Sequence, residues 1–385
     1  MENYFCDGST FRADGNCNKM VWKKSAARYK EIAEQRCKDL FKEIDVLNEQ
    51  EDEQYKAHNL EETGSFSEPI TREVIKEQAT KLNQVIAKTT STKTKRTAGR
   101  IKNQLQQEQE KITRYDNQIR KAGTRSGYNK TDTDASGMRM KNQETLPAYN
   151  VLAGCENQMI VNCSVHQNSN DSRCFKEHMA QLEQITDIVP GSVVADSIYG
   201  TEENYQLLED KNIGNYLKYP AFHKEEKPLY KPEPFSSTEF NYNAGSNTYT
   251  CPVGRTLKFK RVHTEKRYSG YEITLKVYQC RNCRGCPFYE QCCSPRNETR
   301  RTLKINPTLE EHKKQARHNL RTEKGWELRK KRSIEIESCF GDIKHNMGIR
   351  RCHLRGLKKV HADFCYIAMA HNMRKIHLMN QKKAS

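Results

Sequence analysis

"SVVADSIYGTEENYQLLEDKN", residues 192–212, begins as a short apolar run and stops on an aspartate. The run reads as a buried strand, and Gly200 reads as a turn. Thr201, three residues before Asn204, has the placing of a helix N-cap, and Asn212 that of a helix stop. Upstream, "AYNVLAGCENQMIVNCSVHQ" (148–167) is two β-rich runs around the polar break "ENQ", a hairpin pattern, and "FKEHMAQLEQI" is a helix. Downstream, "IGNYLKYP" is a further strand closed by Pro220. The order hairpin, helix, strand, helix, strand gives an α/β sheet with Asp196 at the carboxyl end of a strand. Ligand sites of open α/β sheets gather there, and a carboxylate in that place suits a cation.

The totals narrow the class of partner. Over 385 residues, 66 Lys and Arg stand against 49 Asp and Glu, a net charge of +17. That excess suits a polyanion such as nucleic acid, or serves only to keep the protein soluble. No run of about 18 apolar residues exists, so no membrane span is expected. The start "MENYFCDGST" lacks the basic-then-apolar pattern of a signal peptide. Fifteen cysteines, an odd number in a long chain, point to a reducing compartment with one local cluster set apart.

That cluster is Cys251 with Cys280, Cys283, Cys286, Cys292 and Cys293. Two successive C-x2-C steps and a cysteine six further on have zinc-ligand spacing, and Cys251, Cys283, Cys286 and Cys292 form the candidate Zn²⁺ set, with Cys280 as the alternative ligand. The competing reading is a group of inert buried thiols. Elsewhere, residues 22–48 carry a narrow seam of Tyr29, Ala33, Cys37, Leu40, Ile44 and Leu47, and residues 68–87 are helical in pattern. "AKTTSTKTKRT" (87–97) reads as a basic linker before a second seam through Ile101, Leu105, Ile112 and Ile119. Seams this thin call for an antiparallel helical arm. Residues 308–348 read as helical, and a basic, histidine-bearing tail follows.

On a wheel of "SIEIESCFGDIKHNMG" (333–348), Ile336, Phe340, Ile343 and Met347 form one apolar stripe. Glu337 and Lys344 share one flank, and Glu335 and Asp342 the other. A carboxylate at the margin of a buried face can reach a sheet edge, but the wheel does not choose between Glu335 and Glu337.

Three stretches taken together, "DGSTFRADGN" (7–16), "VVADSIYGTEENY" (193–205) and "RSIEIESCFGDIKHN" (332–346), resemble DDE-type transposases of bacterial insertion sequences, in the subgroup with a cysteine-bearing insertion before the glutamate helix. "NKTDTDASGMRM" (129–140), "SVHQNSND" (164–171) and "RRCHLRGLKKV" (350–360) extend the likeness over nearly the whole chain. The resemblance implies an RNase H-like mixed sheet, with a helical arm inserted after the first strand. It divides the chain into a first strand (1–20), helical arm (21–127), core (128–222), cysteine-rich insertion (223–305), and catalytic helix with basic tail (306–385). It assigns Asp7, Asp196 and Glu337 as a carboxylate triad for two Mg²⁺ ions, with Lys344 beside them. Asp132 and Asp134 are rivals for the first position, which the resemblance gives to Asp7. The implied activity is DNA end cleavage and strand transfer, on insertion-sequence ends and target DNA, by a homo-oligomer in the bacterial cytoplasm at the nucleoid.

Several departures bear on that expectation. Where relatives carry an arginine four residues before the glutamate and a tyrosine three before that, this chain has Ser333 and Lys330, with Arg332 one step out of register. Where relatives read Ala-Gly-Tyr after the second aspartate, this chain has Ser197, Ile198 and Tyr199, which replaces a glycine by a bulky residue beside the site. Asp7 stands so near Met1 that the first strand has only Glu2–Cys6 to draw on, which points to an amino-terminally shortened copy of weak or absent activity. The alternatives are a non-catalytic DNA-binding protein derived from a transposase and a stand-alone nuclease.

Overall fold

The structure, a computed structural model, describes residues 1–55, 72–89, 91–293 and 300–384. The chain forms two compact units, one of residues 1–12 and 149–385, the other of residues 13–148. Strand β1 (Asn3–Arg12) opens the larger unit and is ten residues long. It therefore extends well past Cys6, where the sequence reading had it end, because Phe11 beyond Asp7 is also fully buried.

The smaller unit follows. A ribbon of β2 (Met20–Trp22) and β3 (Gly127–Asn129) flanks three helices, α1 (Lys23–Tyr55), α2 (Arg72–Lys88) and α3 (Thr92–Ala122). Ala33, Cys37, Leu40 and Ile44 of α1 pack with Ile101, Leu105 and Ile112 of α3, the two seams closing on each other. Tyr29 stays exposed and stacks on Tyr115 instead. The expected linker at 87–97 is mostly helix: Ser91 caps α3 by accepting from Thr94 N–H, and the helix begins at Thr92. Residues 68–71 lie outside the described residues. Strand β4 (Ser136–Arg139) pairs antiparallel with the first residues of β5 (Thr145–Glu156), which enters the larger unit at Tyr149.

In the larger unit, β5 turns into β6 (Met159–His166) through Asn157 and Gln158, both at positive φ, the turn that matches strand twist in a two-residue hairpin. Helix α4 (Asp171–Thr186), strand β7 (Ser192–Ala195), helix α5 (Glu202–Asp210) and strand β8 (Gly214–Leu217) follow. The strand order is β6-β5-β1-β7-β8, with β5 and β6 antiparallel and β1, β7 and β8 mutually parallel. The sheet is thus mixed, and β1 is its central strand. Alternation along β1 sends Tyr4 and Cys6 into a core with Phe175, Val193, Tyr205 and Leu217. Tyr4 Oη shares a 2.6 Å hydrogen bond with His178 Nε2, which joins Ser164 and His166 in a buried polar chain. Burial holds His178 neutral, with its pKa lowered to about 3.

After the short α6 (Phe222–Glu225), residues 241–305 form a second, five-stranded antiparallel sheet: β9 (Asn241–Asn243), β10 (Thr248–Thr250), β11 (Thr256–Lys266), β12 (Glu272–Cys280) and β13 (Thr302–Ile305), with α7 (Tyr289–Cys292) beside it. Helix α8 (Pro307–Arg321) returns to the first sheet, and α9 (Glu323–Arg332) leads into a π-helical turn (Ser333–Glu337), the short α10 (Ser338–Gly341) and a second π-turn (Asp342–Asn346). Ile336, Phe340 and Ile343 are buried along this segment. The expected basic tail is helix α11 (Leu357–Ala384), held to β6 by Asn372, which accepts from Ile160 N–H and donates to Ile160 C=O, each at 2.8 Å.

Candidate active site

Strands β1 and β7 run in parallel register, Asn3 against Ser192 through Phe5 against Val194. Continued by two residues, that register sets Asp7 beside Asp196 at the carboxyl ends of neighbouring strands. Asp196 opens a 3₁₀ turn over Ser197–Tyr199, and the turn does not use its carboxylate as a cap. Ile198 in that turn is 46% exposed and is not among the positive-φ residues. The glycine-to-isoleucine departure therefore imposes no backbone strain here.

Asp7 is electrostatically perturbed. Its pKa is raised to about 6, by burial first; the neighbouring Asp171 and Asp196 charges add to the rise, and the Gly8 N–H and Arg332 oppose it. Asp171 was not singled out from the sequence. It closes the quoted segment "SVHQNSND", where an acid in the first turn of a helix reads only as a dipole partner. In the structure its carboxylate lies against Gly8, where an added Cβ would stand 2.5 Å from Asp171 Cγ. Asn150 Nδ2 donates to Asp171 Oδ1 at 2.5 Å and fixes its direction.

Glu337 comes in from the π-turn. Its Oε1 is 2.8 Å from Arg332 Nη2, and Arg332 Nη1 is 3.4 Å from Asp7 Oδ2. Glu335 is buried elsewhere, accepting from Gln158 N–H at 2.5 Å in the β5–β6 turn. Lys344 Nζ donates to Ser9 Oγ (2.6 Å) and Thr10 C=O (3.0 Å) on β1, and lies over the Phe11 ring. Lys218, just past β8, adds a cation that no motif marks. Burial, and then the Arg332 charge, hold its pKa down. Asp132 and Asp134 lie in the smaller unit, between β3 and β4. Asp132 is buried there, and its carboxylate accepts from Asp134 N–H.

The six cysteines of the second sheet, Cys251, Cys280, Cys283, Cys286, Cys292 and Cys293, line one small cavity. Cys251 Sγ accepts from Arg255 N–H (3.2 Å) and Cys283 Sγ from Arg301 N–H (3.3 Å). Gly254 and Gly285, at φ +81° and +69°, turn the chain back beside Cys251 and Cys286. Cys293, outside the candidate ligand set, faces the same cavity, and burial followed by the nearby Cys283 and Cys292 raises its pKa to about 12.

Oxygen donors such as the carboxylates suit Mg²⁺, and clustered thiols suit Zn²⁺. The crowding of Asp7 by two further carboxylates is the setting in which a hard cation is favoured. As the side chains lie, no three His, Cys, Asp or Glu among the described residues are arranged to hold a metal ion. No helix among them is long and apolar enough to cross a membrane.

Residues 250–377 match a family model described as "Transposase DDE domain". The match takes in the six cysteines of the cavity, Glu337 and Lys344, leaves Asp7 and Asp196 outside, and supports a DDE transposase. No curated protein and no solved structure matches the sequence.

Proposed function

We propose that the chain is a DDE-type transposase of a bacterial insertion sequence, cleaving DNA ends and transferring strands at the carboxyl ends of β1 and β7. One observation carries this reading: Asp7 adjoins Asp196, and a single guanidinium joins Asp7 to Glu337. The transposase match supports it. So does the strand order β6-β5-β1-β7-β8, which fits an RNase H-like core with the five-stranded sheet as its cysteine-bearing insertion.

In this reading Asp7, Asp196 and Glu337 hold Mg²⁺, with Asp171 adjoining. When bound, a Mg²⁺ pair supplies Lewis-acid stabilisation of the attacking and leaving oxygens of a phosphodiester. The chain's own groups do the positioning. Asn150 and the start of α4 fix Asp171, and Lys344 ties the glutamate segment to β1 two residues beyond Asp7. Lys218 places a cation where a phosphate would approach Asp196. The net charge of +17 holds the DNA backbone without sequence preference, through counterion release. Pairing two element ends calls for a homo-oligomer when active, at the nucleoid in the bacterial cytoplasm.

The cysteine cavity is a second candidate metal site, for one Zn²⁺ on Cys251, Cys283, Cys286 and Cys292, with Cys280 as the spare ligand. The N–H···S bonds to Cys251 and Cys283 favour it, since hydrogen bonds to ligand atoms orient them for a metal.

The second reading, a non-catalytic DNA-binding protein, rests on the net charge of +17, which holds a polyanion with or without cleavage. Nicking of supercoiled plasmid separates the two. The transposase reading expects Mg²⁺- or Mn²⁺-dependent nicking that Asp196→Asn abolishes while salt-sensitive DNA binding persists. Binding with no cation-dependent nicking, or nicking indifferent to Asp196→Asn, would favour the second.

A further inference from the structure

We infer that Arg332 is a counter-ion of the carboxylate cluster, and that it trades places with the divalent cation, which frees its guanidinium for a DNA phosphate. The inference rests on the metal-site reading above and adds a residue to it.

The geometry comes first. Arg332 reaches Asp7 Oδ2 at 3.4 Å with one terminal nitrogen and Glu337 Oε1 at 2.8 Å with the other. A planar guanidinium can span two carboxylates in this way, whereas a lysine is a point charge. Its side chain is only 12% exposed, while that of Glu337 is 51% exposed, so the guanidinium links the buried Asp7 to a carboxylate at the surface.

The reach depends on the backbone. Five residues along a regular α-helix turn a side chain about 140° away from the starting flank. The π-turn over Ser333–Glu337 follows an i→i+5 hydrogen-bond pattern, which brings Arg332 and Glu337 onto one flank. The arginine that looks one step out of register in sequence is returned to the glutamate's side by the extra residue of that turn.

Electrostatics then sets the exchange. Two more carboxylates, Asp171 and Asp196, crowd Asp7, so the cluster needs positive charge whether or not a metal is bound. Without one, Arg332 provides it, and its guanidinium takes up the space between two of the proposed ligands. A divalent cation brings twice the charge and competes for the same oxygens. Each therefore weakens the binding of the other, a reciprocal coupling between one site and two cations. Once displaced, Arg332 sits at the end of α9 near the exposed Lys330, a basic surface suited to a phosphodiester backbone.

The test is Mn²⁺ binding to the full chain without DNA, followed by electron paramagnetic resonance of the free ion. Arg332→Gln replaces the guanidinium by a shorter, uncharged amide, and it should tighten Mn²⁺ binding by about ten-fold or more at low salt. Arg332→Lys should fall between that variant and the wild type. Lys331→Gln removes the same charge from an exposed neighbour and should change affinity by less than about two-fold. If the wild type binds Mn²⁺, loses it on Asp196→Asn, and Arg332→Gln binds no tighter than Lys331→Gln, the exchange is overturned and the metal site stands. If neither the wild type nor Arg332→Gln takes up Mn²⁺ while circular dichroism shows both folded, the exchange and the metal-site reading fall together.

Discussion

Two regions of the larger unit gather reactive side chains by opposite routes. The carboxylate cluster draws on four remote elements: the pairing of β1 with β7 sets Asp7 beside Asp196, Asn150 holds Asp171 against Gly8, and Arg332 ties in Glu337. The cysteine cavity draws every lining thiol from residues 251–293, around two tight turns. They differ in energy as well. Ionised carboxylates crowded together work against the fold, whereas neutral thiols pack as small apolar groups with Leu257 and Tyr278. Removing a ligand should therefore strengthen the fold at the first region and weaken it at the second.

The largest expected effect lies at the cysteines. In zinc-loaded protein, Cys251→Ser should cost about 3 kcal/mol or more, since metal-binding energy at a structural site is folding energy. It should also lower the metal content from about one zinc per chain. Thermal unfolding with and without chelator, beside elemental analysis, checks this. A wild-type chain with no zinc and no response to chelation would leave the thiols inert and the contrast broken.

Next comes Asp7. A carboxyl raised from 3.8 to about 6 on folding binds its proton more readily in the native state, so stability falls as pH rises between those values and stays lowered above them. The full penalty is about 3 kcal/mol. Asp7→Asn in metal-free buffer should thus stabilise the protein by about 1–3 kcal/mol at pH 8 and by almost nothing below pH 3.8, read from urea unfolding at the two pH values. Destabilisation at pH 8 would mean that the Arg332 pair outweighs the crowding.

The smallest effect sharpens the local side of the contrast. Gly254, at φ +81° with open space around it, should lose about 1 kcal/mol on substitution by alanine, from backbone strain alone. A larger loss, accompanied by loss of zinc, would show that the turn at Cys251 sets ligand geometry.

This contrast also explains what the sequence revealed. The strand–helix order around Asp196, the Thr201 cap and the two helical seams follow from local periodicity and end chemistry, so they were legible. The cysteine group was legible as a spacing, although its five-stranded sheet was not, because β9, β10 and β13 are only three or four residues long. Asp171 and Lys218 were not legible, since each looks like an ordinary surface charge until the sheet is assembled. Arg332 looks misplaced in the sequence, and the π-turn that corrects its placing leaves no mark in residue periodicity. Helix α11 was read as a tail because its polar and apolar residues do not separate onto clear faces; Tyr366, Met369 and Met373 are exposed along it.

The central place of β1 has a consequence for how the chain is made. Its partner β7 lies some 190 residues further along, Asn3 against Ser192. At about 5–20 residues per second of synthesis, β1 waits on the order of 10–40 s before that neighbour exists. The seams of α1 and α3 can close during the wait. The sheet, with its acidic edge, is assembled late, and the apolar side chains of Tyr4 and Phe5, on opposite faces of β1, are meanwhile a natural target for a chaperone.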